Sequence, residues 1–171
     1  MTWSHSRTDF HRARSQVYNV LAATFDGDVT VLKRALDEET FRELATVIPG
    51  ELDLEALSRQ DLDSDSLKRG YDNLFVVPGK HYVPPFASAH TDAPSETFES
   101  DAPYHEEGEA GELYGEPARR MASLFDRIGF RPDVGEGIPD HVAAQFAFMA
   151  VLARTRVALQ SGDEAIEVNR D

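Results

Sequence analysis

The chain has 171 residues, 31 carboxylate side chains against 17 Lys and Arg, a formal net charge of −14 and no cysteine. That length suits one domain with one substantial core. The charge argues against nucleic acid and anionic membrane as partners, because phosphate binding needs clustered Lys and Arg, and the missing cysteine excludes disulfides, thiol nucleophiles and cysteine zinc sites.

From Thr8 to Phe25, apolar residues at Phe10, Ala13, Val17, Leu21 and Phe25 recur three or four apart, as on one face of an amphipathic helix. Asp26-Gly27-Asp28 stops it, and Val29 to Leu36 reads as a short second helix. A third runs from about Glu38 to Val47, ended by Pro49-Gly50, and Asp53 to Ser58 suits one more short turn. Ser64 or Asp65 can cap the next helix, in which Leu67, Tyr71, Leu74 and Phe75 fall on one stripe.

Between Ala87 and Glu116 there are nine acidic residues and neither Lys nor Arg, the composition of a mobile polar loop. Pro117 then suits the first turn of a helix carrying Met121, Leu124, Phe125 and Ile128, with Gly129 as its stop. Pro139 is again well placed to open a helix, which carries Val142, Phe146, Met149, Ala153 and Val157 and stops near Gly162. No stretch alternates with period two for long enough to suggest a sheet. The expected fold is an all-α, single-domain bundle of about six or seven helices spanning 1–171, with a long acidic loop at 87–116.

Met1 to Arg14 has no apolar core of the kind that marks a signal peptide, and no segment reaches the roughly 20 apolar residues of a bilayer span. The cytoplasm is the expected location. The acidity has two readings: a carboxylate surface adapted to high salt, or a docking face for a basic partner.

Catalysis finds little support. His5 and His11 are six apart and do not share a helix face; His81, His90 and His105 fall in loops; no pair has the spacing of a zinc helix. Ser88 and Ser123 lack a nucleophile elbow, and no phosphate-binding glycine loop is present. No catalytic residue, metal or cofactor is expected. Asp140-His141, following Pro139 in the first turn of that long helix, is more informative. Unpaired amides there favour a carboxylate and oppose a charged imidazole, so His141 is expected to be neutral. The pair is either a local cap that docks the helix or a ligand-facing pair at the mouth of a groove.

The segment Val76–Ser88, VVPGKHYVPPFAS, is apolar but suits neither helix nor strand: Pro78-Gly79 breaks the helix, and Pro84-Pro85 enforces an extended backbone without donors. With Val76, Val77, Tyr82, Val83 and Phe86 along it, the segment either plugs a gap between helices or forms one wall of a hydrophobic groove for an apolar peptide.

Tyr71-x-x-Leu74-Phe75, then Pro78-Gly79, then Val83-Pro84-Pro85-Phe86-x-Ser88, resembles the TorD/DmsD family of cytoplasmic redox-enzyme maturation chaperones, which is related to the NarJ group. A second signature of that family is similar to Glu136-Gly137-Ile138-Pro139-Asp140-His141, continuing into Phe146-Ala147-Phe148-Met149-Ala150, and the resemblance spans roughly residues 12 to 160. It implies an all-α chaperone, not an enzyme, that binds the twin-arginine signal peptide or apo form of a molybdopterin oxidoreductase of the DMSO, TMAO or nitrate reductase type. Cofactor insertion would follow, then export. By the same resemblance Tyr71, Leu74, Phe75, Pro85, Phe86, Ser88, Asp140 and His141 fall on positions of the peptide-binding region. Ala87 stands where the family often has Glu. Relatives usually continue with further helices, which leaves two expectations: a shortened chain, or a homodimer with exchanged elements. The competing functional readings are an assembly factor for a redox-enzyme subunit that is never exported, and a hydrolase using loop histidines and carboxylates.

Overall fold

A computed structural model describes residues 7–47, 63–90 and 115–161, the side chains of the last two excepted. Six α-helices form among the described residues: α1 (Arg7–Phe25), α2 (Val29–Asp37), α3 (Thr40–Ala45), α4 (Ser64–Tyr71), α5 (Glu116–Ile128) and α6 (Val142–Ser161), with no strand between them. The all-α expectation holds. The proposed helix at Asp53–Ser58, His5, His105 and all but the edges of the acidic loop lie outside the described residues.

Local chemistry explains most of the boundaries. Asp28 caps α2 by accepting the Thr30 amide at 3.1 Å. The cap of α4 is Asp63, one or two residues before the expected Ser64 or Asp65; its carboxylate accepts the Ser66 amide at 2.6 Å, the usual reach from a cap to the third helical residue. Pro117 lies in the first turn of α5, and Gly129 ends that helix in the left-handed conformation, φ 68°. The last helix begins later than Pro139 suggests, at Val142, because the intervening residues are used to join it to another part of the chain.

Helix α4 does not continue as an α-helix through Phe75. After Tyr71 the backbone widens into a π-turn, Asp72–Val76, closed by the Val77 amide on the Asp72 carbonyl at 2.8 Å. The wider turn rotates the following side chains off the expected stripe. Tyr71 and Phe75 face inward, where their rings lie 5.3 Å apart, while Leu74 is left 41% exposed.

Packing is organised around α6. Helix α1 lies along it across a seam of small residues: Ala13, Ser15 and Ala22 on one side, Ala143, Ala150 and Ala153 on the other, all buried. Ser15 Oγ donates to the Ala150 carbonyl at 3.2 Å, which satisfies a hydroxyl inside that seam. On another side of α6, Phe125, Phe130 and Phe148 form a cluster over Ala144, with ring centroids 4.9–5.5 Å apart. The stretch Val142–Leu159 is long and apolar enough by composition to cross a bilayer, nearer to that threshold than the sequence reading allows. Helix α1 covers one side of this stretch and the phenylalanine cluster another, and together they bury about a third of it.

Candidate functional site: two remote segments joined at the head of α6

The proline-rich segment and the residues before α6 are paired through their backbones. Phe86 and His141 form an isolated antiparallel bridge. The Ala87 amide donates to the Asp140 carbonyl at 3.0 Å, and the Val142 amide donates to the Pro85 carbonyl at 2.8 Å. Prolines 84 and 85 have no amide to offer, so these two residues can act here only through their carbonyls. The Pro85 carbonyl takes up one of the orphan amides at the start of α6.

Side chains reinforce the junction. Asp140 is fully buried, and its Oδ2 accepts the Ser88 amide at 2.9 Å. Ser88 is also fully buried, inside a short 3-10 turn, Ala87–His90. The first residues assigned to the acidic loop are therefore packed structure; the loop's composition hides a turn pinned by Asp140. His90 Nε2 donates to the Pro84 carbonyl at 2.9 Å, which binds the turn back to the proline strip.

His141 is buried, with its ring edge-on to Phe86 at 5.1 Å between centroids. Its Nδ1 accepts the Ala143 amide at 3.1 Å, so His141 caps α6 and must leave that nitrogen unprotonated. Burial lowers its pKa below the ordinary 6.5, against the opposing pull of Asp26, Glu136 and Asp140. The neutral imidazole expected from the sequence is thus the form the geometry uses, as an amide acceptor.

Two residues that the motif reading passes over hold this corner. Asp26, in the turn after α1, accepts the Gly135 amide at 2.6 Å. Gly135 has φ 64°, and a Cβ there would sit 2.7 Å from His141 Nδ1. The sequence signal is the repeated glycine in Gly135-Glu136-Gly137, where all three residues have positive φ.

Tyr71, Leu74 and Phe75 stand next to this junction. The Tyr71 hydroxyl donates to the Phe25 carbonyl at 2.9 Å, and burial, with Asp26 and Asp72 adding to it, raises the phenol pKa. Phe75 meets Phe25 edge-on at 5.2 Å, and Phe25 lies 5.7 Å from Phe146 on α6. The irregular segment returns to this cluster when the Val83 amide donates to the Leu74 carbonyl at 2.6 Å. Beside it Leu74, Val76, Val77 and Val83 are 41–54% exposed. The segment is therefore an open apolar wall rather than a plug between helices. Of the residues singled out from sequence, Leu74 faces solvent, Tyr71, Phe75, Pro85 and Phe86 are half-buried, and Ser88, Asp140 and His141 lie behind the wall. No group of three or more metal-ligating side chains occurs among the described residues.

A pH dependence follows from His141. Its stabilising contribution is complete above the unfolded-state value of 6.5 and is lost as pH falls from there toward the lower folded-state pKa, because the unfolded chain binds the proton more readily. His11 is shifted in the same direction and adds to the effect. Urea denaturation should therefore show falling stability from pH 7 to pH 5, with a shallower fall in His141→Asn, since Asn can cap the helix without titrating. An equally steep fall in that variant contradicts the assignment.

No curated protein and no solved structure matches the chain. A family model described as nitrate reductase delta subunit matches residues 22–170, which includes the aromatic cluster, the proline strip and the Asp140-His141 corner. The chain belongs to the nitrate reductase delta subunit family, the NarJ and TorD type of chaperones for molybdoenzyme maturation.

Proposed function

We propose that this chain is a cytoplasmic chaperone that holds the twin-arginine signal peptide of an apo-molybdopterin oxidoreductase while its cofactor is inserted. The observation that carries the reading is the exposed wall of Leu74, Val76, Val77 and Val83, fixed beside the Phe86–His141 bridge. A signal peptide offers an apolar stretch preceded by two arginines. The wall suits the apolar stretch, and the acidic surface suits the guanidinium pair. Glu136 is exposed and close enough to His141 to act on its titration, which makes it a partner for an arginine where Ala87 offers none.

In this reading Leu74 contacts the peptide, while Ser88, Asp140 and His141 position the wall from behind. Micromolar binding, about −8 kcal/mol, is enough for a hold-and-release task. Calorimetry with synthetic twin-arginine signal peptides tests it. Leu74→Asp should weaken binding roughly tenfold or more, about 1.4 kcal/mol, since it puts a charge on an apolar contact. Its side chain is exposed, so the melting transition should hardly move. Equal affinity in both proteins would remove the wall from the binding site. A second arm uses the N-terminal segment of a reductase subunit without the arginine pair. Equal affinity for that peptide favours an assembly factor whose client is never exported.

A further inference from the structure

A concave surface lies on the face formed by α1 and α6, away from the proline strip. It encloses about 410 Å³, with His11 and Arg14 on the α1 side and Met149, Leu152, Arg156 and Leu159 among its residues on α6. We propose that this cleft is a docking site for an acidic amphipathic helix of a partner protein, separate from the wall assigned to the signal peptide.

The charge of the cleft is the first argument. On a chain of net charge −14, the charged residues lining this surface are all basic. Neither Arg14 nor Arg156 forms an ion pair with a carboxylate among the described residues. Arg14 instead donates to the Tyr18 hydroxyl at 3.3 Å, with its guanidinium 5.5 Å from the Phe10 ring centroid. His11 Nδ1 is buried with no hydrogen-bond partner among the described residues. After burial, the groups that act on the His11 ring are all cationic: Arg7 and Arg14 from α1, and Arg156 from α6. An anion is the missing complement.

The shape supplies the second argument. Met149, Leu152, Arg156 and Leu159 are spaced three, four and three residues apart, the repeat with which one helix receives another. The strip runs for about 15 Å at 1.5 Å per residue. Leu152 and Leu159 on it are 37% and 68% exposed. Apolar knobs at matching spacing would cover these leucines, while flanking carboxylates would reach Arg14, Arg156 and His11. A small anion would neutralise the cations but leave the leucine stripe uncovered.

The test uses two synthetic helical peptides with leucines at heptad spacing, one flanked by Glu and the other by Gln at the same positions. Calorimetry on the full chain should show the Glu peptide binding at least tenfold more tightly than the Gln peptide. That preference should disappear in Arg14→Gln/Arg156→Gln, and NMR should show the His11 pKa rising when the Glu peptide binds. Saturating twin-arginine signal peptide should not displace it, so this site and the wall can fail independently. Equal affinity for the two peptides, no binding of either, or unchanged binding in the double variant would overturn the proposal. So would binding that appears only after residues 162–171 are removed, which would make the chain's own acidic segment the occupant. Self-association abolished by Leu159→Ser would overturn it in favour of a second copy.

Discussion

Asp140→Ala is expected to lower the free energy of unfolding by about 2 kcal/mol, read by urea denaturation. The Asp140 carboxylate is fully buried and its Oδ2 holds the Ser88 amide, itself in a fully buried residue. Truncation leaves that amide without its acceptor, which costs about 1–3 kcal/mol, and opens a small void. A compensation works the other way. Asp140 Oδ1 is buried and finds no hydrogen-bond partner among the described residues, so removing the carboxylate relieves part of its desolvation. The lost amide bond should win, because Ser88 stays buried in either protein. Asp140→Asn separates the two effects: its side-chain oxygen can still take the Ser88 amide while the charge disappears. It should therefore be distinctly milder than Asp140→Ala. Hydrogen exchange at Ser88 should accelerate in the Ala variant and stay slow in the Asn variant. If both substitutions destabilise equally, the charge rather than the amide bond holds the two segments together. Because Asp140 lies behind the wall, any loss of peptide affinity in these variants should follow the loss of order at 85–90.

Gly135→Ala should cost about 2–4 kcal/mol of stability, much more than the same change two residues later. At Gly135 two penalties combine. Its φ of 64° is a left-handed conformation that costs an alanine about 1 kcal/mol, and the new Cβ would lie 2.7–2.8 Å from the His141 ring and Cβ. Those are not the ends of a flexible side chain. His141 is fixed by the Ala143 amide and by the backbone bridge to Phe86, so it can yield only by breaking one of them. Gly137 has a similar φ of 72°, but a Cβ there would meet no heavy atom within 4 Å, so Gly137→Ala should show the backbone penalty alone. Equal destabilisation by the two substitutions would deny the close approach of the glycine turn to the histidine.

Much of this molecule is legible in the sequence because its helices are spaced, capped and stopped by local chemistry. The three- and four-residue spacing of α1, Pro117 and Gly129 around α5, and the apolar face of α6 each act over one or two turns. What escapes the sequence depends on partners far along the chain. The Ala87–His90 turn reads as the beginning of an acidic loop, since the residue that orders it, Asp140, lies 52 positions away. Asp26 reads as a helix stop, while its carboxylate reaches 109 residues to the Gly135 amide. Leu74 falls by spacing on the inward stripe of Tyr71 and Phe75, because a π-turn changes the angular spacing without a local residue that demands it.

The candidate site is readable as two motifs, but their roles divide only in three dimensions. Phe86 and His141 belong to different motifs, and the backbone bridge is what brings them together. Ser88 and Asp140 carry the same motif signal as Leu74, yet burial puts them behind the surface and Leu74 on it. A motif records that a residue matters, and only burial and hydrogen bonding tell a contact from a support. The cationic cleft between α1 and α6 has no motif at all. It needs His11 and Arg14 brought against Arg156 by helix packing, and the strong overall acidity masks it.

The absence of cysteine permits a single-site test of the proposed peptide site. Val77→Cys on the apolar wall and Ile128→Cys on the exposed side of α5 would each carry a benzophenone maleimide and be irradiated with a twin-arginine signal peptide. Efficient crosslinking from position 77, lost on competition with unlabelled peptide and absent from position 128, is the predicted result. Crosslinking that is equal at the two positions, or stronger from 128, would contradict the joining of the proline strip and the head of α6 into a peptide-binding surface.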